Sequence, residues 1–175
     1  MERKGVILDR DGTLINHVHY LYRVDQVKLT NHIKDLLLEM INKGFLFFLQ
    51  TNQSGVERGL YKKENVQNCN KKMIELIGVK NLFKEVCISY KIDPVTCPNR
   101  KPNANFGLNL IKKYQIEKKN LYFIGDDNVD MLTAKNIGCH AIHVNSGKTK
   151  KESINFKNVL FMDDVRSALS YLNNL

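Results

Sequence analysis

The sequence predicts an α/β protein: a Rossmann-like parallel sheet with helices on both faces and no separate cap domain. Three observations predict it. Short apolar runs alternate with segments whose apolar residues recur at helical spacing, which implies right-handed βαβ units. One run, Phe45 to Leu49, is continuously apolar, as a strand buried on both faces requires. Polar residues stand directly after three of the runs, and parallel sheets bind ligands outside the carboxyl ends of their strands.

Each element follows from local pattern. Gly5 to Leu8 reads as the first strand, ending at Asp9. Thr30 is the expected N-cap of a helix on which Ile33, Leu36, Leu37, Met40 and Ile41 share a face until Gly44. Phe45 to Leu49 is the second strand. Val66, Cys69, Met73, Leu76 and Ile77 mark a helix over Lys62 to Ile77, closed by Gly78. Val86 to Ser89 is a weak strand and Leu108 to Tyr114 a short helix. Leu121 to Ile124 is a clear strand, followed by a helix over Asp130 to Asn136 and a strand over Ala141 to Val144. Val159 to Phe161 is the last strand. An Asp163/Asp164 cap opens the last helix, Val165 to Leu172.

Composition bounds the function. Of 175 residues, 43% are hydrophobic and 26% charged, proportions that exclude a disordered or collagen-like chain. A single domain over 1–175 is expected, with a core large enough to need no staples. Four cysteines without regular spacing do not form a disulfide framework, so a reducing compartment is expected. Only MERK precedes the first strand-like run, so no signal peptide is expected. No apolar run approaches the ~20 residues of a membrane span. A monomer is expected. The net charge of +9 suits an anionic partner, either a phosphorylated small molecule or nucleic acid.

The polar residues at the strand ends suggest the chemistry. Asp9 and Asp11, with Asp126 or Asp127, would form a hard oxygen-donor cluster that prefers Mg²⁺. Such a cluster attracts a phosphate dianion. One carboxylate then attacks phosphorus, giving an aspartyl phosphate, and its neighbour protonates the leaving oxygen and activates water. Thr51, the amides after it, and a lysine such as Lys101 would hold the phosphoryl oxygens.

Four motifs in order carry a resemblance: DRDGTL (Asp9 to Leu14), TNQSG (Thr51 to Gly55), RKP (Arg100 to Pro102) and GDDNVD (Gly125 to Asp130). The chain resembles the haloacid dehalogenase (HAD) superfamily phosphatases. The run Arg58-Gly59-Leu60-Tyr61 and the segment ending in Tyr20 and Arg23 are similar to the heptose 1,7-bisphosphate and histidinol-phosphate phosphatase subgroup. The resemblance implies a HAD-like fold and a Mg²⁺-dependent phosphomonoesterase in carbohydrate metabolism, within lipopolysaccharide biosynthesis if the substrate is a heptose phosphate. It implies Asp9 as nucleophile and metal ligand, and Asp11 as acid/base that lends the metal its carbonyl. It implies Asp126 as the third ligand, Thr51 and Asn52 as the phosphate-binding turn, and Lys101 as the clamp. Arg100, Gln53, Ser54 and Arg58 match substrate-contacting positions, and His17 to Tyr20 fall where the subgroup touches its substrate. The substrate implied is the 7-phosphate of D-glycero-D-manno-heptose 1,7-bisphosphate. The alternatives are histidinol phosphate, a polynucleotide 3′-phosphate and, in another class, a phospho-accepting signalling module. Nucleic acid is disfavoured because no aromatic residues interleave the lysines.

Two departures from the subgroup stand out. Asp127 occupies a position where many relatives carry Lys or Arg; there it would repel a second phosphate or join the metal shell. Cys97 occupies one position of a zinc loop, but Asn99 replaces another and no histidine lies between Cys87 and Cys97, so zinc is not expected. Cys69 and Cys139 read as core residues, and Asp130 as the helix N-cap. About 45 residues separate the second motif from the third, too few for a cap domain, so an open site shaped by the loop Lys91 to Asn99 is expected. IHVNSGKT (Ile142 to Thr149) ends like a P-loop but lacks its first glycine and its place after the first strand. It reads as a chance match whose Ser146 to Lys148 could border the site.

Overall fold

The structure, a computed structural model, describes residues 2–150, 153–154 and 156–175. Six strands form one parallel sheet: β1 (Lys4–Leu8), β2 (Phe45–Asn52), β3 (Phe83–Ser89), β4 (Leu121–Gly125), β5 (His140–Val144) and β6 (Val159–Met162). Their order is β3-β2-β1-β4-β5-β6, and every neighbouring pair is parallel. This is the doubly wound order, with its reversal between β1 and β4. Among the described residues five α-helices complete the fold: α1 (Lys34–Asn42), α2 (Lys63–Ile77), α3 (Asn105–Tyr114), α4 (Asn128–Ile137) and α5 (Val165–Asn173).

Side chains alternate across the strands and so define two cores. Val6 and Leu8 of β1, Phe45, Phe47 and Leu49 of β2, and Ile142 and Val144 of β5 pack with α1, α2 and α5. Ile7, Phe48, Leu121 and Phe123 face the other way, onto Phe106 and Leu110 of α3 and Met131, Ala134 and Ile137 of α4. A strand covered on both faces needs apolar residues at successive positions, which explains the unbroken run in β2. The long segment between β1 and α1 is tied to the first core through Leu14, Ile15, Leu21 and Val27. Among the described residues no cap domain stands over the carboxyl edge of the sheet.

The expected elements are present, with displaced boundaries. β3 begins three residues before the expected weak strand because it is an edge: it pairs only with β2, across a register irregularity at Phe47/Phe48. Its exposed Lys84 and half-exposed Val86 blur the apolar signal. Thr30 is not the N-cap of α1. Its Oγ1 donates to the Thr13 carbonyl at 2.7 Å, and Ile33 precedes the helix. The hydroxyl is used to hold the loop after β1. Asp164, and not Asp163, caps α5, accepting from the Ser167 N–H at 2.8 Å.

The two-sided burial of β2 gives a direct test. Phe48 is fully buried, so Phe48→Ala leaves a cavity at the centre of the second core. Urea unfolding should show a loss of about 3–5 kcal/mol with an unchanged m-value.

Candidate active site

The reversal of strand order splays the loops after β1 and β4 apart and opens a crevice at the carboxyl edge. Asp9 leaves β1 at this point, its N–H bonded to the Ile124 carbonyl of β4 at 3.0 Å. Thr51 and Asn52 end β2, and Asp126 follows β4. Lys101 comes from the segment before α3. Its ammonium donates to Asp9 Oδ1 and to Asp130 Oδ1, each at 2.6 Å, and is only 3% exposed. Asn52 locks this lysine in place: Nδ2 donates to the Lys101 carbonyl at 3.0 Å, and Oδ1 accepts its N–H at 3.2 Å. Gln50 Nε2 fixes the preceding turn at the Asn99 carbonyl, 3.0 Å. Asn103 Nδ2 closes it on the Pro94 carbonyl at 2.7 Å.

Carboxylate oxygens of Asp9, Asp126 and Asp130 lie within 4.8 Å of one another, all three residues buried. Burial raises Asp9 well above the ordinary carboxylate range, and Lys101 offsets this only in part. Burial, then the charge of Asp130, pushes Asp126 up to about 7. Burial alone would lower Lys101, but Asp130 and Asp9 reverse that and hold it protonated. One ammonium among three buried carboxylates leaves the cluster short of positive charge. Such a hard, all-oxygen donor set suits a divalent cation of the Mg²⁺ type.

Asp11 stands apart from this cluster. Arg10 Nε donates to its Oδ2 at 2.9 Å and Arg10 Nη2 to its Oδ1 at 3.0 Å. Gln53 Nε2 adds a third bond to Oδ2 at 2.8 Å and also donates to Thr51 Oγ1 at 2.9 Å. The Tyr61 hydroxyl donates to Gln53 Oε1 at 3.2 Å. Thr51, Gln53 and Asp11 thus form one network facing the crevice. The outer rim holds the remaining expected residues. Ser54 accepts the Arg58 N–H at its carbonyl, 3.1 Å, and Arg58 is exposed. Arg100 is half-buried, and its Nη1 has no hydrogen-bond partner among the described residues. Tyr20 takes a left-handed conformation, φ 51°, with its ring 4.2 Å from His19 and 6.5 Å from Tyr61. His17 is exposed on the same segment.

Several assignments change in three dimensions. Asp130 is not the N-cap of α4; Asp127 is. Asp130 lies one turn inside, accepts the Asp127 N–H at 3.1 Å through Oδ2, and turns Oδ1 to Lys101. Its spacing after Asp126 carried the signal, but a carboxylate in a first helical turn reads as a cap. Asp127 is outside the acidic cluster. It accepts from Thr149 Oγ1 at 3.1 Å and pairs with the Lys148 ammonium at 3.4 Å, so its charge is partnered away from the crevice. The loop after β5 is no P-loop, but its Ser146 to Lys148 border the site, as the sequence allows. Lys148 N–H donates to Asp126 Oδ2 at 2.6 Å and Ser146 Oγ to the Gly12 carbonyl at 2.8 Å. A Cβ on Gly147 or on Gly12 would overlap Asp126 Oδ2, so both glycines leave room for this carboxylate. Arg10, between the two aspartates, is fully buried, which no local pattern in the sequence signals. Cys97 Sγ lies 3.3 Å from Ser89 Oγ, and Cys87, whose thiol burial pushes up to about 11, points at the Asn99 carbonyl at 3.6 Å.

Comparison with known proteins agrees with this geometry. A family model described as HAD-hydrolase-like matches residues 98–168. The histidine biosynthesis bifunctional protein HisB of Campylobacter jejuni is 30% identical over 148 residues, 81% of this chain. The chain spans only 42% of that relative's length. The D-glycero-beta-D-manno-heptose-1,7-bisphosphate 7-phosphatase of Haemophilus ducreyi is 29% identical over 182 aligned positions, covering 99% of this chain and 100% of that protein. The crystal structure of D,D-heptose 1,7-bisphosphate phosphatase from B. bronchiseptica, complexed with magnesium and phosphate, superposes with a TM-score of 0.83 at 21% identity, over 98% of both chains; that likeness is one of fold. With its doubly wound sheet and its four motifs gathered at one edge, the chain has a HAD-like fold and is similar in sequence to HAD-like hydrolases over residues 98–168. Its similarities run to two groups of proteins, the heptose bisphosphate phosphatases and the bifunctional histidine biosynthesis protein HisB.

The contact of Gly147 with Asp126 predicts a metal phenotype. Gly147→Ala should weaken Mg²⁺ binding about 10–100-fold, the scale on which groups supporting a ligand act. Calorimetric titration measures this, and far-UV circular dichroism should remain unchanged.

Proposed function

We propose that the chain is a Mg²⁺-dependent phosphomonoesterase that hydrolyses a small sugar phosphate through an aspartyl-phosphate intermediate. The observation that carries this is the Lys101 ammonium, bound at 2.6 Å to both Asp9 and Asp130 beside Asp126. A structural ion pair would not need three carboxylates at the mouth of a crevice. A nucleophile, its clamp and a cation site do.

Asp9, Asp126 and the Asp11 carbonyl would hold Mg²⁺, which when bound offsets the charge of the incoming phosphate. Lys101 orients Asp9 and binds a phosphoryl oxygen. Thr51 Oγ1 and Asn52, at the end of β2, hold the other oxygens. Asp9 attacks phosphorus, the ester P–O bond breaks, and Asp11 gives a proton to the leaving oxygen. Water then attacks the aspartyl phosphate, Asp11 takes its proton, and inorganic phosphate leaves. Donors aimed at the phosphoryl group supply most of the barrier reduction in such reactions.

The 7-phosphate of D-glycero-D-manno-heptose 1,7-bisphosphate is the substrate we favour. A heptose bisphosphate phosphatase aligns over its full length with this chain. The half-buried Arg100 and the exposed Arg58 offer charge for a second phosphate, while Asp127 pairs with the Lys148 ammonium at 3.4 Å. Ser54, His17 and Tyr20 would contact the sugar. The setting would then be cytoplasmic envelope-polysaccharide synthesis. The second reading is histidinol phosphate. The HisB similarity and the ring cluster of His19, Tyr20, Tyr22 and Tyr61 favour it, since aromatic rings stack on an imidazole.

Phosphate release with Mg²⁺ should be fastest on heptose 1,7-bisphosphate, assayed as both anomers beside histidinol phosphate and a 3′-phosphorylated oligonucleotide. Chelation with EDTA should abolish it. Asp9→Asn should lower turnover at least about 10⁴-fold, the scale on which removing a nucleophile acts. A single stoichiometric phosphorylation without turnover would instead identify a phospho-accepting module.

A further inference from the structure

Arg10 is among the largest fully buried side chains of the protein. Burying a guanidinium is costly, and an apolar residue of similar volume often stabilises a fold as well or better. Its hydrogen bonds indicate what it does instead. Two of its nitrogens grip both oxygens of Asp11, at 2.9 and 3.0 Å, and the third, Nη1, donates to Asn70 Oδ1 at 2.8 Å. Asn70 is itself buried on α2. The planar fork of arginine fixes the plane of a carboxylate, which the point charge of lysine does not. Gln53 Nε2 donates to Oδ2 of the same carboxylate at 2.8 Å.

The arrangement solves a problem that the sequence creates. Asp11 lies two residues from Asp9, beside a cluster that already holds Asp9, Asp126 and Asp130. A free fourth carboxylate there would compete for the cation and cease to carry protons. We propose that Arg10, anchored by Asn70, is the positioning residue that keeps the Asp11 carboxylate out of the metal cluster and oriented for proton delivery. The inference rests on the phosphatase reading above. In the first half-reaction the ester P–O bond breaks as the Asp11 proton passes to the leaving oxygen. The carboxylate that remains is the form Arg10 and Gln53 bind. In the second half-reaction it takes a proton from the attacking water, the bond from phosphorus to Asp9 breaks, and both aspartates are restored.

Dependence on the leaving group separates this role from a merely structural one. An aryl ester such as p-nitrophenyl phosphate leaves without much help from an acid, whereas the primary alkyl ester of heptose 1,7-bisphosphate needs it. General-acid assistance is worth about 10²–10⁴-fold. Arg10→Lys should therefore lose at least about tenfold more kcat/KM on the alkyl ester than on the aryl ester. Asn70→Ala, which leaves the guanidinium in place but unanchored, should shift the ratio in the same direction by a smaller factor. It carries the test if Arg10→Lys does not fold by circular dichroism. Equal losses on the two esters would overturn the positioning role while leaving the phosphatase reading intact. A wild-type protein that turns over neither of these esters, nor histidinol phosphate, would overturn both.

Discussion

A buried lysine held between two aspartates is the interaction around which this molecule is arranged. Lys101 has almost no exposure, and it remains charged because Asp9 and Asp130 each meet its ammonium at 2.6 Å. Taking such charges out of water is expensive, and it is compensated only when geometry is close and the remaining polar atoms are satisfied. That requirement reaches through the fold. Asn52 and Gln50 of β2 pin the chain around Lys101, and the start of α4 presents Asp130. β1 and β4 must lie side by side for Asp9 to reach the same point. The doubly wound order is what brings them there.

Around that pair the site divides its carboxylates into two groups with different environments. Asp9, Asp126 and Asp130 are buried together, and burial raises Asp9 and Asp126, so the group favours a cation. Asp11 is only partly buried and is held by neutral and cationic donors. Two aspartates at i and i+2 after one strand are thereby separated into distinct chemical settings by a single intervening arginine. The same separation governs Asp126 and Asp127. The first faces the cluster, while the second turns to Lys148 and Thr149 on the loop after β5. Adjacent acidic residues in this sequence do different things because different loops reach them.

Much of the fold was legible from the sequence. β2 and α2 showed themselves through continuous apolar character and 3.6-residue spacing, both local signals. The four site motifs were legible for the same reason: each is a short strand end or loop whose residues act together. β3 was faint because an edge strand exposes part of its length, and Thr30 misled because its hydroxyl serves a distant carbonyl rather than the nearest helix. Asp130 has the sequence signature of a cap, since a carboxylate in a first helical turn commonly serves that role. Here Lys101 claims one of its oxygens as well.

By itself the sequence determined the alternation of strands and helices, the polar clusters at three strand ends, and the identity of the groups available for phosphate chemistry. These are set by hydrophobic periodicity and short-range spacing, which act within a few turns of chain. Only the tertiary structure decided which carboxylates share a site, that Asp127 pairs with Lys148, that the Ser146 to Thr149 loop frames Asp126, and that Arg10 binds Asp11 apart from the cluster. Those outcomes join residues far apart in the chain, 92 positions between Asp9 and Lys101 and 134 between Gly12 and Ser146. Burial and electrostatics among such partners exist only once the sheet has assembled.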